Sequence, residues 1–161
     1  MKYKASLDNL AKIMTVAVTV VFAIIIAKQI EAIKEEPATM PFLIAGGFIL
    51  LYIWVLLFRP LNYWVTDKQL IIQRPLKNIV VERNAITNIE RLDDATVQKS
   101  IKTLGVGGLF GYFGKYANRK NGSMTWYATR RSRAVLICIN DNKKIVLTPD
   151  MPKEFMTALH N

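Results

Sequence analysis

Two uninterrupted apolar stretches, residues 13–27 and 41–58, fall in the first 58 residues, and neither contains a charged side chain. A helix crossing the roughly 30 Å hydrocarbon core of a bilayer needs about 17–25 residues. The second stretch meets that length alone. The first meets it when Leu10 and Ile30 are included and Lys12 and Lys28 extend their ammonium groups to the interfaces. The pattern predicts an anchor over residues 1–58 with two transmembrane helices, about 10–30 and 41–58. Arg59 and Pro60 close the second, since proline does not continue a helix from its interior. Tyr52, Trp54, Tyr63 and Trp64 flank that end like an interfacial aromatic belt. Thr15, Thr19, Ala23 and Ala27 recur every four residues, and Ala45, Gly46 and Gly47 form a small patch. Small residues let backbones approach closely in lipid, so the two helices are expected to pack on each other.

From residue 61 the period shortens. Segments 61–66, 69–74, 77–82, 86–92, 124–130, 134–140 and 144–148 are rich in β-branched and aromatic residues. Turns punctuate them at Asp67 and Lys68, at Pro75, at Arg131 and Ser132, and at Asp141 and Asn142. Residues 93–122 read as a long irregular connection. Asp150 is suited to cap a final helix, Pro152 fits its first turn, and Phe155, Met156 and Leu159 give it an apolar face. The fold expected for residues 59–161 is mainly β. It is a seven-stranded bent sheet or partial barrel capped by a C-terminal helix, following an N-terminal two-helix transmembrane hairpin.

Charge adds an orientation. The 161 residues carry a net charge of +10, and residues 59–161 hold 17 Lys and Arg against 8 Asp and Glu. Residues 1–12 are also net positive, whereas 28–40 hold two Lys and three Glu. Cytoplasmic flanks carry the excess of Lys and Arg, so both termini are expected in the cytoplasm with a short outer loop between the helices. A cleaved signal peptide is disfavoured, because residues 28–32 lack a small-x-small cleavage pattern. Neither apolar stretch has an internal ionisable residue, which argues against an ion path or a transporter site.

Three segments taken together carry a resemblance. They are Gly105-Val-Gly-Gly-Leu-Phe-Gly-Tyr-Phe-Gly-Lys-Tyr116, Trp126-Tyr-Ala-Thr-Arg-Arg-Ser-Arg-Ala-Val135 and Leu147-Thr-Pro-Asp-Met-Pro-Lys-Glu-Phe155. With the strand order of four, then three, then a helix, the chain resembles the bacterial PH-like domain family of the pleckstrin-homology superfold, over roughly residues 61–160. Members often carry transmembrane helices. The resemblance implies the fold and the character of a binding module. It implies no defined ligand, because one fold hosts many functions.

The basic residues suggest where such a module sits. The second helix feeds the first strand with almost no linker, so the end of the barrel where that strand starts is expected to face the bilayer. An antiparallel meander brings Arg74 and Lys77 to that end. PH-like topology brings Lys115, Arg119, Lys120, Arg130, Arg131 and Arg133. Each Lys or Arg near anionic lipid contributes about 1 kcal/mol. Phe110 and Phe113 are expected to dip into the lipid interface. The opposite end would carry Lys68, Arg83, Lys143 and Lys144, open to a protein partner or a second subunit.

Other chemistries find little support. The glycine-rich segment lacks the Gly-Lys-Ser/Thr ending of a P-loop. Its glycines are expected to supply unusual backbone angles in a connection packed on the barrel. There is one His, His160, and one Cys, Cys138, with no third group to orient them as a catalytic pair. No zinc spacing occurs, one cysteine forms no internal disulfide, and no nucleic-acid motif accompanies the basic charge. The expectation is a non-catalytic, membrane-anchored module without cofactor or metal, docking on anionic lipid and open to a protein partner. The second reading is a structural subunit of a larger membrane complex with its specificity in the helices.

Overall fold

A computed structural model describes residues 1–35, 39–140 and 143–160. Part of the expected outer loop and the turn at Asp141 and Asn142 lie outside the described residues. The two apolar stretches form α1 (Asn9–Glu35) and α2 (Thr39–Phe58). At 1.5 Å per residue α2 is about 30 Å long and α1 about 40 Å. Asp8 starts α1, its carboxylate accepting the Ala11 N–H at 2.7 Å and pairing one of the donors a helix start leaves free.

Both helices are long and apolar enough to cross a membrane, and only 6% and 11% of their most apolar stretches are buried within the protein. Neither helix is therefore the core of a soluble fold. They pack on each other through Phe22 and Phe48, edge to face at 4.9 Å, and through the Thr19 and Tyr52 hydroxyls at 2.9 Å. The expected small-residue faces are only partly used. Ala45 is buried, but Ala23 and Ala27 are exposed, and Gly46 and Gly47 have open space where a Cβ would stand.

Among the described residues, two sheets carry the domain. Chain order gives β1 (Lys2–Lys4), β2 (Asn62–Val65), β3 (Gln69–Gln73), β4 (Ile79–Glu82), β5 (Ile86–Arg91), β6 (Ile101–Gly108), β7 (Gly111–Asn118), β8 (Gly122–Ala128), β9 (Val135–Ile139) and β10 (Lys143–Leu147). The first sheet runs β1-β2-β3-β4 and the second β5-β9-β10-β8-β7-β6. The seven expected strands are all present. The fourth of them, β5, pairs with β9 in the second sheet, and β10 runs parallel to β8, so the domain is not a simple meander.

Two elements differ from expectation. Residues 2–4, assigned to the anchor from the sequence, pair with β2, Tyr3 opposite Tyr63. Residues 93–122 are not irregular. They form α3 (Asp94–Gln98) and the long hairpin β6–β7. Glycines interrupt the apolar alternation that marks a strand, but here Gly105 and Gly114 pair across the hairpin with φ of +129° and +121°. Their expected role in supplying unusual backbone angles holds, within a ladder rather than a loop.

The sheets enclose one core between them, including Tyr3, Tyr63, Leu70, Ile72, Ile137 and Leu147. The C-terminal helix α4 (Pro152–His160) closes it with Phe155 and Leu159. Tyr63, expected in an aromatic belt, is fully buried there. It donates to the Tyr127 carbonyl at 2.6 Å, and burial pushes its phenol up to about 12. A second cluster covers the other face of the second sheet. In it Trp126 stacks on Tyr116 at 4.2 Å, and Ala11 and Leu92 are buried beside α3 residue Val97. The start of α1 thus belongs to the domain core.

Candidate functional site

The end of the domain nearest the helices is built by the tip of the β6–β7 hairpin. Phe110 sits there with φ +56°, a costly angle for a bulky side chain. Its N–H donates to Thr15 Oγ1 of α1 at 2.9 Å. Its ring meets Tyr52 of α2 at 5.4 Å and lies under the Arg59 guanidinium at 5.3 Å. Phe113 joins the same cluster with Val55. Phe110 is 8% and Phe113 6% exposed, so neither ring is presented to lipid as expected. Both wedge the domain against the bases of the two helices.

A second contact fixes the same end. The Leu76 N–H, in the β3–β4 turn, donates to the Leu57 carbonyl in the last turn of α2 at 3.1 Å. Arg74 lies 5.3 Å over Phe58, and its Nε donates to the Lys77 carbonyl at 2.9 Å. Leu76 and Lys77 are exposed. Arg74 and Lys77 therefore stand beside the foot of α2.

The other basic residues separate. Arg119 and Lys120 follow β7, which begins at the hairpin tip and runs away from it for eight residues, roughly 25 Å at strand rise. They stand well away from Phe110, and Lys120 reaches Glu90 of β5 at 4.0 Å. The sequence reading had residues 93–122 as an irregular connection and so contained no β6–β7 hairpin to carry them away from that tip. Lys115 is exposed midway along β7, its Nζ 2.8 Å from Thr125 Oγ1.

Arg130 and Arg131 are at the helix-side end but are engaged in holding the fold. Arg130 donates to the Ser6 carbonyl through Nε at 3.1 Å and pairs with Asp150. Asp150 also accepts from Ser6 Oγ at 2.6 Å. Arg131 reaches the carbonyls of Gln98 and Ser100 at 2.9 Å each, closing the end of α3, and its own N–H donates to Asp8 at 3.0 Å. Arg133 is exposed, with its N–H on Asp94 at 3.0 Å. Replacing Arg130 by alanine is expected to lower stability by about 2–3 kcal/mol, short of a fully buried pair because both partners keep some solvent. Arg133→Ala, in thermal unfolding of the full chain beside it, is expected to change little.

At the far end, Lys68 and Lys143 are exposed. Arg83 instead donates to the Leu159 carbonyl at 2.8 Å and closes α4. Lys144 donates to the Asn121 carbonyl at 2.8 Å, joining β10 to the β7–β8 turn.

A groove of about 560 Å³ connects the two ends. One wall is β4, all four of whose residues line it; the floor includes Lys115, Thr125, Tyr127 and Ile145. Four consecutive residues of one strand line a cavity only along its edge, since a face would offer alternate ones. Burial raises the Tyr127 phenol, and the Arg74 guanidinium partly offsets this. Periodicity marked β4 as a strand but could not show that it ends its sheet. Nor did it show that Tyr3, Asp8, Thr15 and Thr19 join anchor to domain. The one available signal was Asp8, a capping residue shortly before an apolar run.

Cys138 packs half-buried against the second cluster, and His160 is exposed at the end of α4. No group of three or more His, Cys, Asp or Glu suited to a metal ion occurs among the described residues. A family model described as bacterial PH domain matches residues 61–161. Neither the curated proteins nor the solved structures contain a match to this chain.

Proposed function

The chain belongs to the bacterial PH domain family, whose members are typically binding modules rather than enzymes, and from that premise we propose that it is a membrane-anchored binding module. In this reading α1 and α2 cross the bacterial inner membrane as a hairpin, both termini lie in the cytoplasm, and the helix-side end of the domain rests on anionic head groups. The far end, with Lys68 and Lys143, is left open to a protein partner or a second copy.

The observation that carries the reading is the seat of the β3–β4 turn on the foot of α2, Leu76 N–H to Leu57 carbonyl at 3.1 Å. It sets Arg74, Leu76 and Lys77 at the level where an inserted α2 would leave the bilayer. Two facts support it. The strand β1 precedes α1 and pairs in the domain's sheet, so cleaving α1 as a signal peptide would remove a strand of the domain. The Lys and Arg excess on both flanks favours the cytoplasm for them.

The test uses the full chain in nanodiscs of neutral or anionic lipid, with hydrogen exchange read at residues 74–78. Slower exchange in anionic discs is expected, abolished by Lys77→Glu. Equal exchange in both lipids would sink the lipid-docking part of the proposal.

A further inference from the structure

Among the described residues the strand β4 pairs with β3 alone, so half of its backbone groups have no partner strand there. The register identifies which. Glu82 lies opposite Gln69 and Val80 opposite Ile71, and the Arg83 N–H donates to the Lys68 carbonyl at 2.9 Å. Hydrogen-bonded pairs alternate along an antiparallel ladder. Ile79 and Val81 therefore bond to β3, and Val80 and Glu82 direct N–H and C=O groups at the groove. Both residues are exposed.

The groove's floor is already arranged for side chains from such a strand. Thr125 stands opposite Lys115 on β7 and opposite Ile145 on β10. Tyr127 lies two residues nearer the helices, and Lys143 and Lys144 line the far end. The residues lining the cavity include three lysines and a single carboxylate, Glu82; Lys144 is held on the Asn121 carbonyl, which leaves Lys115 and Lys143 for a ligand. Among the described residues, no carboxylate lies within ion-pair distance of Lys115.

We propose that the edge of β4 accepts an extended acidic segment of a partner protein as an added strand, with apolar side chains towards Tyr127 and Ile145 and carboxylates on Lys115 and Lys143. Main-chain bonds to an exposed edge supply affinity, and the floor supplies selectivity. The four-residue edge is about 13 Å long, which fits a segment of four or five residues. A second copy is the weaker occupant, because residues 59–161 carry 17 Lys and Arg against 8 Asp and Glu and repel their like. The inference rests on the binding-module reading and is independent of lipid docking.

The test keeps the full chain in nanodiscs of neutral lipid, where anionic head groups play no part. The probe is a fluorescent Ile-Thr-Val-Ser-Glu-Thr-Glu peptide, whose apolar and acidic side chains share one face of an extended strand, read by anisotropy against the same peptide with lysine at each acidic position. The acidic peptide is expected to bind and the lysine peptide not. Val80→Pro removes an N–H that β3 does not use, and proline is tolerated on edge strands; it is expected to abolish binding with the fold intact by circular dichroism. Lys115→Glu is expected to weaken binding about tenfold. Equal binding of both peptides, no binding by the wild-type chain, or full binding by V80P would each overturn the proposal. A wild-type dimer that V80P dissociates, with no peptide bound, would assign the edge to a second copy instead.

Discussion

A fragment beginning at residue 59 is expected not to hold a cooperative fold, although it contains the whole segment that the family model matches. It lacks β1, and with it the Tyr3 ring that lies edge-on to Phe155 at 5.2 Å and is 5% exposed. Truncating one buried aromatic of this kind costs about 3–5 kcal/mol. The same cut removes Ala11 and Leu7 from the second cluster. It also strips Arg130 of the Ser6 carbonyl and Arg131 of Asp8. A small domain has about 5–15 kcal/mol in total, so these losses together reach its whole stability. The measurement is near-UV circular dichroism and thermal unfolding of residues 59–161, with and without a synthetic peptide of residues 1–12. Restoration by the peptide is the expected result. A fragment that unfolds cooperatively at the temperature of the full chain would show that β1 is an accessory. In the full chain, Tyr3→Ala should reproduce most of the loss.

Gly105→Ala and Gly114→Ala are expected to be the most damaging single methyl additions in the protein, at about 3–4 kcal/mol each. Both positions have positive φ, which already penalises any side chain. A Cβ at Gly114 would stand 2.3 Å from the Leu104 carbonyl oxygen, and one at Gly105 would stand 2.3 Å from that of Phe113. The obstacles are backbone, so no rotamer change relieves them and the hairpin must part. Because the tip of that hairpin carries Phe110 onto Thr15 and Tyr52, the substitution should also loosen the domain from the helices. Thermal unfolding in detergent, with fluorescence from the buried Trp126, measures the first effect. Increased hydrogen exchange at residues 108–111 measures the second. Gly47→Ala, where nothing stands within 4 Å, is the control and should leave unfolding unchanged. Equal behaviour of G114A and G47A would show that the Gly105–Gly114 pair is not close-packed.

Both results concern places where local pattern and fold part company. The glycines at 105, 108, 111 and 114 read as a connection because a strand announces itself by alternating side chains, and these residues have none. The three residues of β1 are too few for any period, and their partner lies about sixty positions away. The basic residues show the same divide. Lysine and arginine count identically in a charge sum. Arg130 and Arg131 became clamps because carbonyls of Ser6, Gln98 and Ser100 lie within their reach, while Lys77 stayed exposed beside the foot of α2. Arg119 and Lys120 stand apart from the hairpin tip because the missed strand β7 carries the chain away from it.

What the sequence determined by itself is whatever depends on neighbours within a few residues. That covers the two apolar helices, seven of the strands, the closing helix with Phe155 and Leu159, and the membership of a PH family that these imply. What the tertiary structure decided is whatever depends on pairing across long separations. It recruited the N-terminus into the first sheet, seated Phe110 between the helices, and left β4 as an edge above a lysine-lined floor. The physical reason is that periodicity records which face of an element is buried, whereas sheet order and edge exposure are set by contacts that no local window contains.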